Sequence, residues 1–329
     1  MRILVTGGNG YLGSRIVSSL VRAGHAVRTL DRVAVPEWEP RQPAIEATHG
    51  DITDETVCEE ACRDVDVVVH CAAVHLASSV SRQPLLAIRT NVEGTLNMLR
   101  GAVKGSVSRF VFLSSAKVYG EPERLPSEEG DVLRPLEPYA LSKAVCESYC
   151  ERFTKEAGLQ TVVLRPFSVY GPAQDLETGY VGMIIRALLD QQDPTLPGRP
   201  DYLRDFVFVD DVVGVCARSA TEPRAMPPVL NVGEGRGVSL ARIVDIFSDL
   251  TARRILPRYV EPSPGTIMRT EAGMAKTMET FGIRRMTRLE EGLRATLESF
   301  FGGGHAAPGR SAASPVRGLR GPGEDETHR

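Results

Sequence analysis

Short runs of β-branched and apolar residues alternate with longer amphipathic stretches along most of the chain. Arg2–Thr6 reads as a strand, Tyr11–Ala23 as a helix and Ala26–Asp31 as a second strand. Val65–Cys71, Leu85–Val103 and Arg109–Ser114 repeat the rhythm of strand, helix and strand. A helical stretch after Leu136 runs to about Ala157 and leads into "TVVLRP", another buried strand. Apolar strands separated by helices predict an α/β fold with a doubly wound parallel sheet, because such strands must be covered on both faces.

Beyond Gly171 the rhythm loosens into a Pro/Gly-rich region, with a strand expected at Phe206–Val209 and a helix from Asp210. "VLNVGEG" and "RRILPRYV" read as further short strands. Thr287–Phe301 is the last periodic segment, with Leu289, Leu293, Leu297 and Phe301 at i, i+4 spacing. From Gly302 the chain is rich in Gly, Pro, Ser and Arg without apolar period, which predicts a disordered tail over 302–329.

Composition narrows the partners. A formal net charge of −3 gives no electrostatic reason to bind nucleic acid or an anionic membrane. No stretch has the roughly 18 consecutive apolar residues of a membrane span, so a cytoplasmic protein acting on a small molecule is expected. The six cysteines (Cys58, Cys62, Cys71, Cys146, Cys150 and Cys216) contain no C-x-x-C and read as buried free thiols. His25, His49, His70 and His75 lack ligand spacing, so no metal is expected; His70 would end a strand beside a cofactor.

The chemistry begins in "TGGNGYLG", residues 6–13, which follows a strand and opens a helix. That context makes the glycine loop a dinucleotide-binding signal and the sheet Rossmann-type. Gly7 takes the tight turn, Gly10 lets the helix N-terminus approach a pyrophosphate, and Gly13 lets helix and strand pack closely. Asp31 ends the second strand 18 residues after Gly13, where a carboxylate accepts ribose hydroxyls and repels a 2′-phosphate. NAD is therefore expected over NADP, although the neighbouring Arg32 is suited to pair with that phosphate.

With this loop, "TNVEGT" around Asn91, "SSAKVYG" at 114–120, "YALSK" at 139–143, "LRPFSVYGP" at 164–172 and "RDFVFVDDV" at 204–212, the chain resembles the extended short-chain dehydrogenase/reductase superfamily over roughly Met1 to Phe301. The matching branch is the NAD-dependent nucleotide-sugar epimerase/dehydratase one, UDP-glucose 4-epimerase-like. The resemblance implies an NAD-binding Rossmann domain over 1–170, with a contribution from about 206–235, and a smaller interleaved substrate region over 171–205 and 236–301. It implies that Tyr11, Leu12, Ser114 and Pro166 touch the cofactor, that Asp51 and Ile52 hold the adenine, that Ala72 and Ala73 line its path, and that Asn91 supports the site's hydrogen bonds. Asp51 as a turn cap, and Ala72 and Ala73 as small core residues, are the plainer alternatives. A homodimer joined through the helices that follow Arg82 and Pro138 is also implied.

Tyr139 and Lys143 share one helix face. A phenol is a poor base at neutral pH; a nearby ammonium and a positive nicotinamide ring would lower its pKa, so that it takes the proton of a sugar hydroxyl while hydride leaves the carbon. By resemblance Lys143 also holds the nicotinamide ribose and Ser115, with Ser114 as the alternative, holds the same sugar oxygen. Ser79, Lys117, Ser168, Arg204 and Arg269 are the remaining substrate contacts implied, Arg204 gripping a diphosphate or, alternatively, pairing with Asp205 or Asp201. Lys117 is either a solvated loop charge or faces an anionic or polar group near the sugar's C5–C6 end. Where dehydratases of this branch carry an acidic pair, this chain has Ala116 and Lys117. The implied reaction is therefore NAD-dependent epimerisation at C4 of a nucleotide-activated sugar. An NAD(P)-dependent keto-sugar reductase or dehydrogenase is the nearest alternative, and a non-catalytic dinucleotide sensor a remote one.

Overall fold

A computed structural model describes residues 1–33, 44–74 and 84–302 of the protein. Ser79 and the stretch from 303 lie outside the described residues. Seven parallel strands form the main sheet: β1 (Arg2–Thr6), β2 (Ala26–Asp31), β3 (Ile45–His49), β4 (Val67–His70), β5 (Arg109–Leu113), β6 (Gln160–Pro166) and β10 (Val229–Val232). Their spatial order is β10-β6-β5-β4-β1-β2-β3. β1 leaves its partners in opposite directions, β2 on one side and β4 on the other, and the crevice at this reversal is where an open α/β sheet binds ligands.

Helices cover both faces. α1 (Tyr11–Arg22) and α7 (Val209–Thr221) pack on one, where Ile16, Val17 and Leu20 meet Val212, Val213 and Cys216 against the buried side chains of β1 and β5. α2 (Glu55–Ala61), α4 (Gly94–Lys104) and α5 (Pro138–Ala157) cover the other, burying Cys58, Met98, Leu99, Cys146 and Cys150 on Leu4, Val68 and Phe110. All six cysteines are free, and five are buried.

A second core joins α6 (Gly179–Leu189), α8 (Leu240–Thr251) and α10 (Leu289–Phe301) around a three-stranded sheet of β7 (Ser168–Tyr170), β9 (Leu203–Phe208) and β11 (Gly237–Ser239). β8 (Thr195–Pro197) and β12 (Arg258–Val260) pair beside it, and α9 (Ala275–Phe281) follows.

Three elements depart from the sequence reading. The helix expected over Leu85–Val103 begins as α3 (Pro84–Ala87) and passes through a π-helical segment, Ile88–Glu93, before α4. A wider turn there aims the Asn91 side chain into the protein, and local insertions of this kind gather at functional sites. β9 starts at Leu203 rather than Phe206, because Arg204 and Asp205 are buried and hydrogen-bonded within the sheet region; α7 then starts at Val209. In "RRILPRYV" only Arg258–Val260 forms a strand, since the preceding residues leave α8 through Ala252 in the left-handed region.

Candidate active site

The glycine loop closes the C-terminal edge of β1. Gly7 sits at φ +68°, and its N–H donates to Leu30 O at 2.8 Å. A Cβ on Gly13 would lie 2.0 Å from the Gly7 carbonyl oxygen, and one on Gly7 would lie 2.9 Å from the Ala72 nitrogen. Gly10 caps α1 without any side-chain acceptor, so its first-turn N–H groups have no side-chain cap competing for them. Tyr11 and Leu12 pack on the core; Arg15 stacks 4.3 Å from the Tyr11 ring centroid and donates to Pro172 O at 2.5 Å.

Asp31 does two jobs at once. Its carboxylate accepts the backbone N–H of Asn9 and that of Val33, each at 2.9 Å, so it ties the glycine loop to the end of β2. Each oxygen retains a lone pair for a further donor. Arg32 beside it is exposed. Asp51 accepts Thr53 N–H at 2.9 Å and its hydroxyl at 3.0 Å through one oxygen, the turn-cap role, while buried Ile52 packs under Gly94. Ala72 and Ala73 follow β4 half-buried, with Ala72 N donating to Thr6 Oγ1 at 3.2 Å.

His70, at the end of β4, is fully buried between Thr6 Oγ1 at 2.7 Å from Nδ1 and Thr95 Oγ1 at 3.0 Å from Nε2. Burial, and then the Lys143 ammonium, push its pKa down to about 3, so the ring is a neutral core link between strand and helix. Among the described residues no cluster of histidine, cysteine or carboxylate side chains is placed to hold a metal ion.

Asn91 joins three segments. Its Oδ1 accepts Val74 N–H at 2.8 Å, and its Nδ2 donates to Val74 O at 3.0 Å and Ser142 Oγ at 2.9 Å. This fixes α5 beside the chain leaving β4. On α5, Lys143 is 3% exposed and donates to Leu113 O at 2.6 Å, at the end of β5. Its Nζ lies 5.9 Å from the Tyr139 ring centroid. Tyr139 is half-buried, one helical turn ahead. Ser115 follows β5 and caps the turn Ala116–Tyr119, its Oγ accepting Lys117 N–H at 3.2 Å.

Burial raises the Tyr139 phenol above its ordinary pKa, with the Glu137 carboxylate adding to the rise. Lys143 is itself pushed down by burial, because a dry site penalises any isolated charge before neighbours compensate.

The two serines divide in role. Ser114 is buried and donates to the Glu147 carboxylate, whereas Ser115 is half-buried at the edge. Glu147 in turn holds Arg165 of β6, with Nε at 3.1 Å and Nη2 at 2.5 Å, both side chains being 5–6% exposed. Arg165 also donates to Tyr119 Oη at 2.9 Å and Glu129 O at 3.0 Å. This network escaped the sequence reading, although an arginine inside a buried strand and a glutamate on the Lys143 face of α5 both called for a partner.

Among the substrate-side residues, Pro166 is buried at the end of β6 and Ser168 half-buried in β7. Arg204 is 7% exposed and donates to the carbonyls of Leu203, Ile267 and Met268, with its guanidinium 5.3 Å from the Tyr180 ring centroid. It forms no ion pair with Asp205 or Asp201: Asp205 accepts the backbone N–H groups of Glu234, Gly235, Arg236 and Ala272, and Asp201 pairs with Arg199 at 3.0 Å. Arg269 lies 3.4 Å from Glu121. Lys117 pairs with Glu137 at 2.6 Å.

Residues 3–233 match the family described as the NAD dependent epimerase/dehydratase family. The chain belongs to that family. A putative UDP-glucose 4-epimerase of Methanocaldococcus jannaschii is 33% identical over 297 residues, covering 89% of this chain and 96% of its own. The solved UDP-glucose 4-epimerase of Thermotoga maritima with UDP-glucose is 32% identical at a TM-score of 0.84, covering 91% of this chain and 98% of that one. That of Thermus thermophilus in complex with NAD is 32% identical at 0.83, covering 92% of this chain and 100% of that one. At the turn after Ser115, Ala116 is buried and Lys117 is paired with Glu137.

Proposed function

We propose that the protein epimerises a nucleotide-activated hexose at C4, with NAD retained through each cycle. What supports this reading is Lys143 of α5 anchored on Leu113 O at the end of β5, two residues before Ser115, with its Nζ 5.9 Å from the Tyr139 ring centroid, in a sheet whose glycine loop is too tight for any side chain at Gly7 or Gly13. The loop fits a dinucleotide: α1 presents its uncapped N-terminus to a pyrophosphate and Asp31 offers a ribose acceptor. Bound there, NAD would supply the hydride acceptor and donor for the sugar carbon and a positive ring that favours ionisation of the phenol.

The chain's own groups do the rest. Tyr139 Oη takes the proton of the sugar hydroxyl and gives it back, Ser115 Oγ fixes the same oxygen, and Lys143, anchored on Leu113 O, holds the nicotinamide ribose. Asp51 and Ile52 receive the adenine and Ala72, Ala73, Asn91 and Pro166 shape the cofactor's path. The segments 171–205 and 236–301 cover the sugar crevice, with Ser168, Arg204 and Arg269 on the nucleotide side. Where dehydratases of this branch carry an acidic pair directly after the serine, this chain has Ala116 and Lys117, which favours epimerisation over 4,6-dehydration. Two copies pair through α3, the π-helical segment after it and α5, where Leu85, Ile88 and Leu141 are exposed.

The test is to purify the protein without added cofactor, measure its mass by light scattering, denature it, quantify the released dinucleotide, and incubate a second sample with UDP-glucose. Near-stoichiometric NAD, a mass of two chains and conversion to UDP-galactose without added cofactor are expected. Release of little NAD, with turnover only when NAD(P)H is supplied and consumed, would replace this reading by a keto-sugar reductase.

A further inference from the structure

Two ammonium groups flank one phenol. Lys117 Nζ lies 5.8 Å from the Tyr139 ring centroid and Lys143 Nζ 5.9 Å from it. Lys143 is buried and anchored on a carbonyl, while the Lys117 side chain is 49% exposed and bound at 2.6 Å to Glu137, whose own side chain is 23% exposed. Glu137 occupies the N-cap of α5, yet its carboxylate caps nothing; with Pro138 next in the chain, it is turned to Lys117 instead. The local structure thus places an ion pair two residues from the base.

We propose that Lys117 and Glu137 are an opposed charge pair that sets the proton affinity of Tyr139, Lys117 acting as a positioning cation and Glu137 as its brake. The inference rests on Tyr139 being the base of the proposed reaction. The charged and titratable groups found against the ring among the described residues are Lys117 from the turn after β5, Glu137 ahead of α5, and Lys143 and Cys146 on α5; Val74, Leu86 and Ala87, which also pack there, are apolar. Glu137 raises the phenol, which agrees with the sign the pair requires. Removing Lys117 leaves that carboxylate unopposed and the phenol harder to ionise. Removing the Glu137 charge frees the ammonium and makes ionisation easier. At an effective dielectric of about 20 to 40, a unit charge roughly 6 Å away moves a pKa by about one to two units.

The experiment titrates tyrosinate absorbance in the NAD-loaded protein, taken as the difference from Tyr139→Phe, for the parent, Lys117→Ala, Glu137→Gln, the double variant and Lys117→Arg. This readout needs no sugar turnover, so it stands whether or not the epimerase reading holds. Lys117→Ala is expected to move the transition up by about one pH unit, Glu137→Gln to move it down by a similar amount, the double variant to fall between them, and Lys117→Arg to stay near the parent. Where turnover is measured, the acid-side limb of the kcat profile moves with the transition. Single variants that shift the transition in the same direction, or not at all, would overturn the proposal and leave the pair as a surface ion bridge.

Discussion

Glu147→Ala tests the buried network behind the serines. In the native chain Glu147 satisfies three donors: Arg165 Nε at 3.1 Å, Arg165 Nη2 at 2.5 Å and the Ser114 hydroxyl. Truncation leaves Arg165, 4% exposed, with its Nη1 bonds to Tyr119 and Glu129 but no counter-charge. Removing one partner of a buried pair costs about 3–5 kcal/mol, and the orphaned Ser114 hydroxyl adds about 1 kcal/mol. For a chain of this size, at roughly 2 °C per kcal/mol, thermal unfolding should fall by about 8–12 °C. Glu147→Leu/Arg165→Met removes both charges and fills the space with apolar atoms, so most of the loss should return; Glu129 O, left without its donor, keeps the recovery incomplete. Thermal and urea unfolding of the parent, Glu147→Leu, Arg165→Met and the double variant complete the cycle. A Glu147→Ala loss below about 1 kcal/mol, or a double variant as unstable as the sum of the singles, would refute the idea that this pair is fully desolvated and mutually dependent.

Two further outcomes follow from geometry already described. Gly13→Ala sets a methyl 2.0 Å from the Gly7 carbonyl oxygen and 3.0 Å from Gly8 Cα, both backbone, so the loop must move; overpacking of about 1–3 kcal/mol should exceed the helix-propensity gain of about 1 kcal/mol, and NAD content on purification should drop at least about tenfold. Gly214→Ala, which meets open space in α7, should instead gain stability by about 1 kcal/mol, and equal unfolding midpoints for the two variants would sink the steric reading. His70 has its folded pKa depressed from 6.5 to about 3, so its contribution is fully present above pH 6.5 and is lost as the pH falls toward 3. That amounts to about 2 kcal/mol by pH 5, and His70→Gln, which keeps a donor and an acceptor without a titrating ring, should flatten the decline; an unchanged slope between neutrality and pH 5 would place the acid sensitivity elsewhere.

The parallel sheet and the glycine loop were legible because their signals are local. A strand buried on both faces is apolar along its whole length, and Tyr139 and Lys143 announce a shared face by spacing alone. What escaped was charge. Arg204 and Asp205 read as the end of a loop, yet both are buried in β9: Arg204 donates to carbonyls at Ile267 and Met268, and Asp205 collects four backbone N–H groups from 234–236 and Ala272. Arg165 reads as an odd residue in an apolar strand until Glu147 arrives from α5. The π-helical segment at Asn91 also left no trace in the periodicity, because one wider turn shifts the apolar face less than the pattern resolves. In each case the partner comes from another segment, and a buried charge without that partner would cost several kcal/mol. A buried charged residue in a sequence therefore tells the reader that a long-range contact exists while withholding its identity. Lys117 is the same problem at the surface. Its neighbours in the chain allow a solvated loop charge, and only the fold brings Glu137 and the Tyr139 ring to it.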